Sequence, residues 1–90
     1  MVGIERKLKA VANKRRLAII KFLDLRNEAS VGEIAGHIKL SFKSTSRHLS
    51  VLAQADIVDK EQRSKSVYYR LYSSKSGLIK YLLSALKTHS

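Results

Sequence analysis

The sequence contains no cysteine and no proline, and only four of its 90 residues are glycine. Without cysteine, the chain can form no disulfide, no thiolate metal site and no thiol redox switch. The glycines are scattered, and the sequence shows no repeat or low-complexity tract that would mark a linker. We therefore expect residues 1–90 to form a single domain with a thin core, since a chain this short buries only about 60–65% of its extended surface.

Long hydrophobic runs are also absent. Lysine or arginine interrupts every apolar stretch well before it reaches the length of a membrane span, and the first residues include no apolar run of signal-peptide length. We expect a soluble cytoplasmic protein with no membrane partner.

Acidic residues are scarce and unevenly placed. Eighteen lysines and arginines stand against seven aspartates and glutamates, which gives a net charge of +11. No acid occurs from Ile34 to Ala55, and none follows Glu61. A chain this basic attracts polyanions, with nucleic acid as the first candidate and an anionic membrane surface as the second.

The few acids also argue against catalysis. The sequence shows no Ser/His/Asp set, no paired carboxylates and no glycine-rich loop that would cradle a phosphate. We expect neither an enzyme nor a bound cofactor.

Apolar residues at helical spacing predict three helices in the first half of the chain. The first begins near Ile4, and the second covers Lys14–Arg26, with Asn13 as its N-cap and Leu25 on its apolar side. A short third helix covers Gly32–Ile38.

A tight turn then leads to a fourth helix, Phe42–Gln54, for which Ser41 is a good N-cap. Thr45, Leu49 and Leu52 fall at i, i+4 and i+7, so they should face the core. The intervening polar residues of the first turns should therefore face outward.

The period changes after the fourth helix. Residues 57–61 and 67–72 are rich in β-branched and aromatic residues and predict two strands, joined by a polar hairpin at residues 62–66. A last helix with a broad apolar stripe should run from Ser74 to Thr88. This order predicts a mainly α member of the α+β class: a winged helix-turn-helix with four helices, a two-stranded β-hairpin wing and a C-terminal helix.

The start of the fourth helix and the hairpin tip carry the side chains that suit DNA. An α-helix fits the major groove, where lysine and arginine bond guanine acceptors and serine bonds several groups. Basic residues at a wing tip suit phosphates or the minor groove. The predicted DNA-binding residues are Lys43, Ser44, Ser46, Arg47, His48, Arg63 and Lys65.

Each of these residues also has a structural interpretation. Lys43 and Arg47 are compatible with an ordinary solvated helix face, and His48 suits half-buried packing as well as a phosphate contact. We expect Phe42 to fasten the turn to the core rather than to lie against a thymine methyl. The DNA-binding hypothesis therefore depends on the whole set: the basic residues of the fourth helix and of the hairpin lie where a winged helix-turn-helix places its DNA contacts.

Four segments resemble the ArsR/SmtB family of bacterial and archaeal winged-helix repressors. They are Leu8–Leu17, Ser30–Ala35, Leu40–Leu52 and Val67–Leu71. The resemblance implies a homodimeric, sequence-specific DNA-binding transcriptional repressor. A two-fold dimer in turn implies double-stranded DNA with a near-palindromic operator.

The resemblance implies that the first and last helices form the dimer, and the wide leucine stripe of the last helix fits that role independently. The alternative is that this helix closes its own core. The predicted dimer interface consists of Ile4, Leu8, Val11, Leu78, Ile79, Leu82, Leu83 and Leu86.

The sequence departs from the family at its metal-sensing positions. Ser30 and Gly32 stand where many members carry a cysteine pair, and the last helix has no acid, which leaves His89 isolated. We expect no metal site. Thr45 also replaces a core valine that is frequent in the family's DNA-reading helix.

Two other functions are compatible with these features. The charge of +11 suits an architectural protein that binds DNA with little sequence preference. A winged helix that binds another protein, with an incidental basic face, is the third hypothesis.

Overall fold

A computed structural model of the chain describes residues 2–88, so the predicted position of His89 lies outside the described residues. Residues 2–88 form five helices and three strands. In chain order these are α1 (Ile4–Val11), α2 (Lys14–Arg26), β1 (Ala29–Ser30), α3 (Val31–Ile38), α4 (Phe42–Gln54), β2 (Val58–Arg63), β3 (Ser66–Leu71) and α5 (Gly77–Thr88).

Side-chain caps set the starts of three helices. The Asn13 side chain accepts hydrogen bonds from two backbone amides of α2, and Ser41 Oγ accepts one from α4. Ser30 and Glu33 form a reciprocal capping box at α3, which therefore begins one residue before the predicted Gly32. These caps confirm the predicted second and fourth helices.

The core lies between the helices and one face of the sheet. Thr45, Leu49 and Leu52 are fully buried, as predicted, so this side of α4 packs against the core. The prediction for Leu25 is wrong because its side chain is 70% exposed. Leu25 lies five residues after buried Ile20, which turns it about 140° around the helix axis.

The sheet has three antiparallel strands in the order β1-β3-β2, where a two-stranded wing was expected. The added strand β1 has only two residues, too few to show an alternating pattern, and pairs Ala29 with Tyr69. The hairpin of β2 and β3, here called the wing, has a shorter turn than the predicted residues 62–66. Arg63 pairs with Ser66, which leaves a two-residue turn at Ser64 and Lys65.

Helix α5 begins at Gly77 rather than at Ser74. Ile79 and Leu83 lie in the protomer's own core, and half-buried Leu82 packs against it. Leu78 and Leu86 are half-buried outside that cluster. One edge of the apolar stripe of α5 therefore packs into the protomer's core, and another edge remains accessible. No helix within residues 2–88 combines the length and apolar character needed to cross a bilayer.

Candidate nucleic-acid interface

The outward face of α4 carries the side chains predicted to read DNA. Lys43 and Arg47 are exposed on the side opposite the buried residues, with Ser44 and Ser46 half-buried at its flanks. Ser50 is exposed on the same face and was missed by the sequence analysis. With Lys43 and Arg47, Ser50 completes an i, i+4, i+7 spacing along one face of the helix, and this spacing would have identified it.

The two cations of this face are free of protein partners. Neither Lys43 nor Arg47 makes an ion pair or a side-chain hydrogen bond with any residue in the described range 2–88. The first turn of α4 contains no acid, and the positive end of the helix dipole lies there. Their charge is therefore available to an external anion.

Contacts at both ends hold α4 in place. Lys7 Nζ of α1 donates to the backbone carbonyl of Ala55 at 2.8 Å, just after α4 ends. Arg15 Nη1 of α2 donates at 2.9 Å to the carbonyl of Ile38, at the end of α3. These bonds fix the turn before α4 and the residue after it, which presents the outward face on a rigid support.

His48 lies at the contact between α4 and α2. Arg16 Nη1 is 3.2 Å from His48 Nδ1. Because a guanidinium only donates, this Nδ1 accepts and the neutral ring carries its proton on Nε2. Burial, reinforced by the charges of Arg16 and Arg15, lowers the pKa of His48 below the ordinary value. The half-buried ring therefore helps to position α4.

Arg16 extends this contact to α1. Its Nε donates to the Ala10 carbonyl, and its Nη2 lies 3.4 Å from the Lys9 carbonyl. One guanidinium thus joins the C-terminal end of α1, the start of α2 and His48 of α4.

The wing differs from its prediction because Arg63 lies on β2 rather than in the turn. Its two Nη atoms donate to the two carboxylate oxygens of Glu28 at 2.7 and 2.8 Å, and Nη2 also reaches Glu61 at 3.0 Å. The guanidinium lies 4.8 Å from the centroid of the Tyr68 ring. Lys65 occupies the turn and is exposed.

Arg70 is likewise paired on the wing, with Glu61 at 3.2 Å and Asp59 at 3.6 Å. Hydrogen bonds from Arg63 lower the pKa of Glu28, and those from Arg63 and Arg70 lower the pKa of Glu61. At neutral pH these carboxylates are ionised, so the wing's arginine charges are largely compensated.

The expectation for Phe42 is wrong. Its side chain is 64% exposed at the start of α4 rather than fastened into the core. At the first helical residue, the core that Thr45 and Leu49 enter no longer lies beneath the ring.

The positions that carry metal ligands in relatives of the resembled family are used differently. Ser30 Oγ accepts the Glu33 amide within the capping box, and Gly32 offers no side chain. Within residues 2–88, no three histidine, aspartate or glutamate side chains are grouped so as to hold a metal ion.

The sequence matches the family described as "Bacterial regulatory protein, arsR family" over residues 13–60. It is 42% identical over 67 residues to the transcriptional activator HlyU of Vibrio cholerae, covering 74% of this chain and 61% of that protein. It is 32% identical over 63 residues to the transcriptional repressor SdpR of Bacillus subtilis, covering 70% of this chain and 69% of SdpR. The chain thus spans about two thirds or less of the length of these curated relatives.

Solved structures show the same fold. Reduced HlyU from Vibrio cholerae superimposes with a TM-score of 0.80 at 35% identity, over 94% of this chain and 85% of that one. A homodimeric winged helix-turn-helix DNA-binding domain from Mycobacterium bovis gives a TM-score of 0.78 at 26% identity, over 96% of this chain and 76% of that one.

Proposed function

The chain belongs to the arsR family of bacterial regulatory proteins, and on that premise we propose that it is a transcriptional regulator that reads DNA with α4. The observation that carries the proposal is the pair of exposed, unpaired cations on the outward face of this firmly held helix, Lys43 and Arg47. In the major groove these side chains would bond guanine O6 and N7, with Ser44 and Ser46 reaching bases or phosphates.

We further propose that the regulator is a homodimer. Ile4 and Leu8 of α1 are 61% and 48% exposed, and Tyr81 of α5 is 70% exposed. Exposed apolar side chains on the two terminal helices favour burial against a second copy. The related domain from Mycobacterium bovis is described as homodimeric.

The residues expected at this interface divide into two groups. Val11, Ile79 and Leu83 lie in the protomer's own core, so they would support the interface from beneath. Direct contact falls to the accessible side chains, which are Ile4, Leu8, Leu78, Leu82 and Leu86. Two-fold symmetry then favours a near-palindromic operator with half-sites about one helical turn, roughly 10 base pairs, apart.

We propose repression as the mode of action. An operator-bound dimer that overlaps a promoter excludes polymerase without needing a further contact. Among the relatives, SdpR is described as a repressor and HlyU as an activator, so a promoter–reporter assay with and without the protein is the direct test. Reporter output that rises with the protein would contradict repression. Such a regulator acts in the cytoplasm, at the nucleoid.

Selection of bound duplexes from a random DNA library tests the function as a whole. We expect a palindromic consensus, and we expect the Lys43→Ala, Arg47→Ala double variant to lose most of its affinity for it. Retention of full affinity by the double variant would contradict DNA reading by α4. Failure to select any consensus would favour a winged helix whose target is another protein.

The net charge of +11 favours one competing function, that of a sequence-tolerant architectural DNA binder. Competition between the selected operator and random DNA at physiological salt separates the two. Specific regulators prefer their site by roughly 10³-fold or more, whereas equal affinities would identify the architectural protein.

Sedimentation equilibrium tests the dimer. Leu78→Lys places a charge among the accessible apolar side chains of α5, outside the protomer's core cluster, and should shift the chain toward monomer. Ser84→Lys adds the same charge at an exposed position of the same helix and serves as the control. Equal masses for the two variants would contradict the proposed interface.

A further inference from the structure

Phe42 is the most exposed large apolar side chain on the DNA-facing side of the molecule. It is the first residue of α4, one position before Lys43, and 64% of it is exposed. The exposure of Ile4, Leu8 and Tyr81 on α1 and α5 is accounted for by the proposed dimer. That of Phe42 on α4 is not, nor is that of Leu25 on α2, which lies outside the DNA-reading helix.

The ring borders a groove between the start of α4 and the wing. The groove has a volume of about 260 Å³, and Phe42 lines it together with Lys65 and Val67 of the wing and Val31 of α3. No aspartate or glutamate lines this groove. Ser30, Gly32 and Ser66 complete the lining, so apolar side chains alternate with two hydroxyls and one cation, Lys65. This combination suits a ligand that is apolar at one point and anionic nearby.

The major groove of DNA offers such a combination. Among its base edges the C5-methyl group of thymine is the apolar feature, and phenylalanine is one of the side chains that contact it. Phosphates line the edges of the DNA major groove, where Lys65, beside the Phe42 ring, could bind one of them. With α4 in the major groove, its first turn is the part directed at the base edges.

We propose that Phe42 contacts the C5-methyl group of a pyrimidine in each operator half-site and is a specificity-determining residue. This inference rests on the proposed DNA-reading function of α4. It assigns thymine recognition to Phe42 and leaves guanine recognition to Lys43 and Arg47, so each half-site should combine a thymine with guanines.

Deoxyuridine substitution isolates the methyl group. In the operator selected from the random library, each thymidine is replaced in turn by deoxyuridine, symmetrically in both half-sites, and affinity is measured for the wild type and Phe42→Ala. Burial of one methyl is worth about fourfold in affinity, or about 16-fold for two half-sites. We expect that loss at one position for the wild type and no further loss at that position for Phe42→Ala.

Two additional arms define the ligand and the side chain. Replacing the same base by cytosine with and without a C5-methyl group tells whether a methylated cytosine substitutes for thymine. Phe42→Leu keeps an apolar side chain and should retain part of the discrimination. Val51→Ala, a 39% exposed apolar residue near the other end of α4, should leave the deoxyuridine profile unchanged.

Affinity for random DNA and the salt dependence of binding should not change in Phe42→Ala, because no phosphate contact is removed. A deoxyuridine profile that is flat in the wild type, or the same in wild type and Phe42→Ala, overturns the inference while leaving the DNA-reading function intact. Failure to select any operator would instead overturn the proposed function. Dimerisation by the Phe42 ring would appear as a lower mass of Phe42→Ala in sedimentation, and this too would overturn the inference.

Discussion

Helix α4 and the wing both carry basic residues, but their charges are treated in opposite ways. On α4, Lys43 and Arg47 make no ion pair within residues 2–88. On the wing, Arg63 is held by Glu28 and Glu61, and Arg70 shares Glu61 with Asp59. Three of the chain's seven acids thus form ion pairs with the arginines of the wing, and none pairs with Lys43 or Arg47 of α4.

This difference teaches that positive charge in a sequence does not by itself locate a DNA contact. A guanidinium that donates to two carboxylates must give up those bonds before it binds a phosphate. A guanidinium that faces water loses only hydration. We therefore expect α4 to supply most of the operator affinity, with the wing contributing mainly through Lys65.

The largest expected effect comes from making the same arginine-to-alanine substitution in each of the two regions and comparing the losses of operator affinity. Arg47→Ala should weaken operator binding by at least about 30-fold, since each base contact is worth about 1–3 kcal/mol and a dimer has two. Arg63→Ala should weaken it by less than about threefold, because the guanidinium is already engaged. Fluorescence anisotropy with labelled operator measures both, and equal losses would remove the distinction between α4 and the wing.

Releasing Arg63 should convert the wing into a DNA contact. In Glu28→Gln the bidentate partner loses its charge, and we expect up to about tenfold tighter binding at low salt. The slope of log K against log salt should steepen by roughly two for a dimer, about 0.9 for each new phosphate contact. Glu5→Gln removes an acid from α1, away from the wing, as the control for net charge. Because Glu61 still pairs with Arg63 at 3.0 Å in this variant, an unchanged slope would show that loss of the Glu28 charge does not free Arg63 for a phosphate.

The buried side of α4 permits a stability test. Thr45 is fully buried, and its Oγ1 has no hydrogen-bond partner within residues 2–88. Thr45→Val removes an unsatisfied hydroxyl at nearly constant volume, so the free energy of unfolding should rise by about 1 kcal/mol in urea titration. Ser50→Ala, on the exposed face of α4, should change it by less than about 0.5 kcal/mol. A loss of stability in Thr45→Val would indicate that the hydroxyl has a partner.

The smallest expected effect concerns pH and again separates the two regions. The pKa of His48 is lowered in the fold, so the unfolded chain, with a pKa of about 6.5, binds more protons near pH 6. The contribution of neutral His48 is complete above about pH 7 and is lost as pH falls from 6.5 toward the folded pKa. We expect a small fall in the free energy of unfolding of the wild type between pH 7.5 and 5.5.

His48→Gln keeps an acceptor for Arg16 and should reduce that decline. The carboxylates of the wing, whose pKa values are lowered, respond only at more acid pH, as they protonate below about 4.5 and release Arg63 and Arg70. Parallel declines for wild type and His48→Gln between pH 7.5 and 5.5 would show that His48 is not the responsible group.

Local signals explain how much of the architecture was predictable. Asn13 and Ser41 mark helix starts through bonds to amides two or three residues away, so the sequence alone located α2 and α4. The spacing of Thr45, Leu49 and Leu52 likewise fixed which side of α4 is buried. The outward position of Lys43 and Arg47 followed from that spacing, because the two sides of one helix are linked by its period.

Tertiary structure alone decided what those side chains meet. The sequence does not show that Glu28, 35 residues before Arg63, closes on its guanidinium, because that contact depends on how β1 and the wing assemble. Nor does it show that Phe42 stays exposed while Ile79 enters the core, since both depend on where the core ends. Helix phase is a property of neighbouring residues, whereas charge pairing and exposure are properties of surfaces brought together from distant parts of the chain.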